Sequence, residues 1–332
     1  MSTYAQSISK VVAENRTLFE GKGDDELIQV PDFPWINVTK HDFEHVFHGE
    51  PKGPHYEFIV KTGIAASKSY ALLVNSFYEI EYKFLDSWNS KCQPKGWLIG
   101  PLCLVEKPIC KTSGKPAWMS WLDRKRVEGK PVLYVAFGSQ AEISDEQLKE
   151  IMIGLDKSEV DFLWALRIKP EQEDQIMQGF EEKVKERGLV VKGWIGQTEA
   201  LEHESVQGFL SHCGWNSVTE SICAGVPILA WPMMAEQHLN ARMVTEEIKV
   251  GLRVETCNGS VRGFVKWEGL AKMVKELMGG KMGEVARQRV KELKEAAKEA
   301  IKPGGTSWRN LELLLSELET GPTVNYYNNG SL

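Results

Sequence analysis

Three absences narrow the field at once. The cysteines form no framework: the six, at positions 92, 103, 110, 213, 223 and 257, are scattered and make no CxxC pair. That excludes a disulfide-stapled scaffold and points to a reducing compartment. No apolar run approaches the roughly 20 residues of a membrane span. The opening Met-Ser-Thr-Tyr-Ala-Gln-Ser shows no basic-then-apolar secretion pattern, so Asn15-Arg-Thr and Asn37-Val-Thr read as chance sequons. Basic charge is also short, with 40 Lys and Arg against 46 Asp and Glu and a formal net charge of −6, the reverse of a nucleic-acid footprint. The one basic stretch, 281–302, is broken by Glu284, Glu292, Glu295 and Glu299 at helical pairing intervals and reads as a solvated helix face. The expectation is a cytoplasmic protein with neither a nucleic-acid partner nor membrane insertion.

What is present is an ordinary globular balance, 42% hydrophobic and 26% charged over 332 residues, room for about two domains. The second half alternates short apolar runs with helical patterns. Strands are predicted at 132–137, 162–167, 189–194, 206–211, 226–231 and 251–255. Ser144-Asp-Glu-Gln147 reads as a capping box opening a helix to about 156. Other helices are expected at 172–187 (closed by Gly188), 198–203, 217–224 and 236–248. This is the pattern of a parallel, doubly wound α/β sheet. Helices at 266–278, 282–302 and 307–318 follow, the last two separated by Pro303-Gly-Gly, and the tail from Gly321 is expected to be disordered. The first hundred residues offer less: a helix near 5–18, strands at 71–76 and 97–102, and a helix at 78–88. They do not by themselves compose a complete sheet domain.

A parallel sheet binds ligands at the carboxyl ends of its strands. The most informative end is Ser211-His212-Cys213-Gly214-Trp215-Asn216-Ser217, where a strand gives way to a helix capped by Asn216 or Ser217, with Glu220 in the first turn. Gly214 admits a close approach, and a helix N-terminus with His212 beside it suits a diphosphate; a merely capped helix is the alternative. Trp194 stands at another strand end, as a base-stacking surface or as core. Glu236 and Gln237 follow a third, as partners for sugar hydroxyls or as a simple helix start. Gly138-Ser139 closes a fourth beside a phosphate. A dehydrogenase is disfavoured because no GxGxxG follows a strand. A cysteine nucleophile at Cys213 is disfavoured because neighbours in an extended chain point apart and His212 cannot pair with it. His41, His45 and His48 are spaced for one helix face, as for a metal or a base, but their setting reads as an ordinary exposed segment.

The 44-residue stretch 194–237, with HCGWNS at its centre, resembles the signature of plant-type family 1 UDP-glycosyltransferases. The similarity extends through VLYVAFGS, LLVNSFYEIE and GPLC to nearly the whole chain. It implies a GT-B fold of two facing Rossmann-like domains, the first incomplete here. The implied layout is a partial acceptor-side domain at 1–102, a linker at 103–115 and a UDP-sugar-binding domain at 116–305. A helix at 306–320 would return toward the first domain, leaving a tail at 321–332. The resemblance further implies that Trp194 stacks on uracil, that the Ile195 backbone bonds the base edge and that Gln197 and Glu220 hold the ribose. His212, Asn216, Ser217 and Ser139 would contact the diphosphate, and Trp215, Glu236 and Gln237 the sugar, with Gln237 pointing to glucose. Family members use no cofactor or metal, and invert the anomeric centre with a His–Asp pair in the first domain. That pair is expected upstream of Met1, so no catalytic residue is assigned in this chain. The implied function is transfer of glucose from UDP-glucose to a hydroxyl of a small lipophilic acceptor. The alternative is a truncated, inactive UDP-sugar-binding protein. Two positions depart from the family pattern: Trp194-Ile-Gly-Gln197 lacks the usual Pro, and Glu236 replaces a commoner Asp.

Overall fold

The computed structural model describes residues 1–50, 52–105, 114–167, 177 and 179–320. An antiparallel hairpin, β1 (Ile28–Val30) and β2 (Phe33–Val38), is followed by a two-stranded parallel pair, β3 (Ala71–Val74) and β4 (Lys95–Leu98). The rest is one six-stranded parallel sheet: β5 (Val132–Ala136), β6 (Asp161–Ala165), β7 (Gly188–Val191), β8 (Val206–Ser211), β9 (Ile228–Ala230) and β10 (Gly251–Arg253). Its spatial order is β10-β9-β8-β5-β6-β7. The order reverses between β5 and β8, so the crevice of this doubly wound sheet opens at their carboxyl ends.

All six predicted strands form, but several stop short of their predicted ends. Trp194 lies three residues beyond β7, and β9 starts after Pro227, which has no N–H for the ladder. Every residue of β5 is buried, as both-face coverage requires. One face packs on helices Asp145–Ser158 and Trp267–Gly279 through Leu148, Ile151, Leu155, Leu270, Val274 and Leu277. The Ser144 box is only half made. Ser144 Oγ accepts from the Gln147 N–H, while the Gln147 side chain bonds both backbone groups of Val265 instead of returning to the cap. Gly188 starts β7 instead of closing a helix: a Cβ there would lie 2.3 Å from the Phe162 ring. Of the helix expected at 172–187, Phe180–Val184 is present, and 172–176 and 178 fall outside the described residues, as do 106–113 of the linker and the tail 321–332. The helix expected at 236–248 is α-helical at Gln237–Arg242 and π-helical at Met243–Glu247. Pairs Arg289–Glu292 and Glu295–Lys298, each 2.8 Å, lie along the basic helix Lys281–Ile301.

The first hundred residues hold more structure than their pattern foretold. Helix Pro54–Ser67 buries no side chain, so it carries no amphipathic signal. The helix expected at 5–18 is Thr3–Glu14 followed by a 3₁₀ turn. Its Tyr4, Ile8 and Val12 share one core with Phe33, Phe43 and Phe84 and with Val218, Ile222, Leu239, Val290 and Leu293 of the second half. Polar ties reinforce this contact. Ser2 Oγ donates to Asn240 at 3.1 Å, and Arg242 Nε to Asp42 at 2.7 Å, both buried. The segment around His41, expected to be exposed, therefore has Asp42 and Phe43 fully or nearly fully buried. Helix Thr306–Thr320 returns to β4, where Asn310 Nδ2 donates to the Leu98 carbonyl at 2.9 Å. Among the described residues no helix is long and apolar enough to cross a membrane.

Candidate functional site

At the end of β5 the chain turns through Gly138 with φ +78°, a conformation glycine adopts without steric cost. The His212 imidazole fills the space beside it. A Cβ on Gly138 would come within 2.8 Å of His212 Nε2, and one on Gly214 within 2.6 Å. The ring is thus seated between two positions that have no side chain. Burial pushes its pKa below the ordinary histidine value, opposed more weakly by the Ala136 carbonyl and Glu236. At neutral pH it is an uncharged imidazole, able to donate from one nitrogen only.

The chain leaves β8 through Cys213, a non-glycine residue at φ 62°. Cys213 N–H donates to Ser211 Oγ at 3.1 Å and its carbonyl accepts from Asn240 Nδ2 at 3.0 Å. Its thiol is fully buried and pushed up to about 12, which removes it as a nucleophile. Helix Trp215–Ala224 then starts with Gly214, not Asn216 or Ser217, at the N-cap, and no side chain caps it. The earlier start follows from the left-handed turn at Cys213. It places Asn216 and Ser217 in the first turn, beside N–H groups that no side chain caps.

A cleft of about 520 Å³ opens at this point, lined among others by Ser139, Trp194, Ile195, Gln197, His212, Asn216, Ser217 and Glu220. Trp194 is 79% exposed, which rules out a core role, and the Arg167 guanidinium lies 5.6 Å from its ring centroid. Gln197 Nε2 donates to Ser217 Oγ at 2.8 Å and to Glu220 Oε2 at 2.6 Å. Burial raises the Glu220 pKa, and the Gln197 bond lowers it less. A raised acid pKa means the charged form costs stability at pH values above it, a cost relieved as pH falls through it. Glu220→Gln is therefore expected to raise the neutral-pH melting temperature, with the gain shrinking on acidification. An unchanged melting temperature across pH would show that the buried carboxylate carries no such cost.

Three predicted residues stand outside this cleft. The Trp215 indole is buried and donates to the Asn75 carbonyl at 2.9 Å, leaving its main chain for any ligand. Gln237 Oε1 accepts from Met233 and Met234 N–H at 2.9 and 3.0 Å, bracing the loop that carries Glu236. Arg167 and Asn75 escaped sequence reasoning. Arg167 follows β6, a strand-end position that could have flagged it. Asn75 follows β3, and its Oδ1 accepts from Leu102 N–H at 2.8 Å. The three histidines do not share a helix face: His41 and His45 sit on separate 3₁₀ turns. His41 Nδ1 lies 2.9 Å from both Asp25 and Ser260, and all three histidines line a different cavity, of about 670 Å³.

Residues 110–281 match the protein family described as UDP-glucoronosyl and UDP-glucosyl transferase. The chain is 52% identical over 323 residues to UDP-glycosyltransferase 90A1 of Arabidopsis thaliana, covering 96% of this chain and 67% of that protein. It is 35% identical over 330 residues to the scopoletin glucosyltransferase of Nicotiana tabacum, covering 96% and 69%. Two solved structures superpose closely. Phytolacca americana UGT2, complexed with UDP-2fluoro-glucose and pterostilbene, gives a TM-score of 0.79 at 30% identity, covering 95% of this chain and 70% of that one. Glycyrrhiza uralensis UGT73P12, complexed with glycyrrhetinic acid 3-O-monoglucuronide, gives 0.84 at 31%, covering 96% and 68%. The chain thus spans about two thirds of the length of these relatives.

Proposed function

The chain belongs to the plant family 1 UDP-glycosyltransferases, enzymes of GT-B fold that transfer sugars to small acceptors, and from that membership we propose that its cleft holds UDP-glucose for transfer to a hydroxyl of a small lipophilic molecule. The observation that carries the reading is convergence. A stacking indole, an amide–hydroxyl–carboxylate cluster, a neutral imidazole and an uncapped helix N-terminus meet in one cleft at the β5–β8 switch point.

Each group has a task in this reading. Trp194 stacks on uracil beside the Ile195 backbone. Gln197 and Glu220 take the ribose hydroxyls. Ser139, His212, Asn216 and Ser217 meet the diphosphate. Glu236, Gln237 and the Trp215 main chain meet the sugar. The acceptor hydroxyl gives its proton to a general base as its oxygen attacks the anomeric carbon, the bond to the diphosphate oxygen breaks, and the charge gathering on the leaving UDP is met by His212 and the helix end. None of the histidines of this chain is assigned as the base. The layout carried with this reading is acceptor-side elements at 1–102 and a donor domain at 116–305, in a cytoplasmic protein. The Gly196 of Trp194-Ile-Gly-Gln197 and the longer arm of Glu236 remain the positions where this chain departs from the family pattern.

Titration calorimetry with UDP, UDP-glucose and uridine tests the donor half. Trp194→Ala is expected to weaken all three by ~1–3 kcal/mol through lost stacking. His212→Ala is expected to weaken UDP and leave uridine nearly unchanged. A wild-type chain that is folded but silent to UDP, or a His212 variant that loses uridine as much as UDP, would reject these assignments.

A further inference from the structure

A second cavity, of about 460 Å³, lies at the carboxyl ends of β9 and β10, lined by Trp231 to Met233 after the first and Val254 after the second. It shares no lining residue with the UDP cleft. Two of its lining side chains are under-used. His238 is 1% exposed, and its Nε2 has no hydrogen-bond partner among the described residues. Arg253, the last residue of β10, has one side-chain contact, from Nη2 to His238 Nδ1 at 3.4 Å. No carboxylate lies within ion-pair distance of it among the described residues. Burial, with the Arg262 and Arg253 charges next, pushes the His238 pKa down to about 2, so the ring is neutral. Facing a guanidinium donor, Nδ1 must accept, which puts the ring proton on Nε2.

The cavity wall therefore holds a buried, unmet N–H donor, which is costly, beside a partly buried guanidinium that has no ion pair among the described residues and feels Asp42 and Glu246 only at longer range. Arg262, also in the lining, is already held by the His41 and Phe43 carbonyls and by Glu44. Glu142 is the one carboxylate of the lining, against the two guanidiniums of Arg253 and Arg262. We propose that this cavity is a second anion site, independent of the UDP cleft, that takes a small oxyanion, a carboxylate or a phosphate, on Arg253 and the His238 Nε2–H. Met233 both lines the cavity and donates its N–H to Gln237 Oε1, so the cavity adjoins the loop carrying Glu236 and Gln237.

The full chain is titrated with sodium acetate and with inorganic phosphate at constant ionic strength, with and without saturating UDP. Binding of either probe is expected to persist in the UDP-loaded chain, and Arg253→Gln to weaken it at least about tenfold while leaving UDP affinity unchanged. A response to acetate alone or phosphate alone supports the site and identifies the guest. No binding of either probe to the UDP-loaded chain, or an unaltered titration in the variant, overturns it. Should the variant not fold, crystals of the unaltered chain grown with selenate decide by anomalous scattering. A peak between Arg253 and His238 supports the site, and peaks confined elsewhere overturn it. The selenate position and the UDP-free titration do not depend on UDP binding, so failure of the donor reading is told apart from failure of this one.

Discussion

Asp42→Ala is expected to destabilise the chain by about 3–5 kcal/mol, the range for removing one partner of a buried ion pair. Asp42 is fully buried and Arg242 is 6% exposed. One oxygen, Oδ2, accepts from Arg242 Nε at 2.7 Å, Thr39 N–H at 2.8 Å and Thr39 Oγ1 at 3.1 Å. Alanine would strand the guanidinium with only Glu246, bonded at 2.8 Å and half exposed. It would also open the Thr39–Asp42 capping box at the turn that delivers Phe43 to the core. Denaturant unfolding measures the loss. Asp42→Asn is expected to be nearly as damaging, because the neutral amide leaves the buried cation uncompensated. Asp42→Leu combined with Arg242→Met is expected to recover a large part of the stability, since apolar pairs often replace buried ion pairs without cost. A loss below about 1 kcal/mol for Asp42→Ala would place this pair with weak surface bridges.

That ion pair also shows where sequence reading stops. Asp42 and Arg242 are 200 residues apart, and neither sits in a periodic pattern that marks it as buried. His41-Asp42-Phe43-Glu44 reads as surface because charge outnumbers apolar residues, and only the partner's position reverses that. The parallel sheet was legible for the opposite reason. Its central strand, Val132–Ala136, is wholly apolar because both faces are covered, so composition alone reports it. Their ends were less legible: Cys213 at φ 62° cannot be foreseen from a residue type that rarely adopts it, and the helix start was accordingly placed late. In the candidate cleft, residues of one continuous stretch, Trp194 to Glu220, are legible together because one helix–strand–helix run carries them to a single sheet end. Arg167, also in the lining, arrives from another unit, and nothing in its own stretch beyond the strand end marks it.

Gly138→Ala is expected to weaken UDP by about a hundredfold, roughly 3 kcal/mol. Two costs combine. A left-handed backbone costs an L-residue about 1–2 kcal/mol, and overpacking a filled position costs about 1–3 kcal/mol. The new Cβ would stand 2.8 Å from His212 Nε2 and 3.1 Å from two ring carbons. The ring cannot retreat toward Gly214, whose Cα already faces it closely enough that a Cβ there would lie 2.6 Å from Nε2. It must therefore leave its seat, taking the proposed phosphate donor with it. Gly129→Ala separates the two costs. Gly129 also has a positive φ, +68°, but a Cβ there meets nothing within 4 Å, so this variant is expected to lose stability and keep wild-type UDP affinity. Calorimetric titration of both variants with UDP and uridine completes the comparison. Because the displaced group faces phosphate, uridine binding to the Gly138 variant is expected to fall far less than UDP binding. Equal UDP affinity in Gly138→Ala and wild type would show that His212, wherever its ring moves, is not what holds the diphosphate.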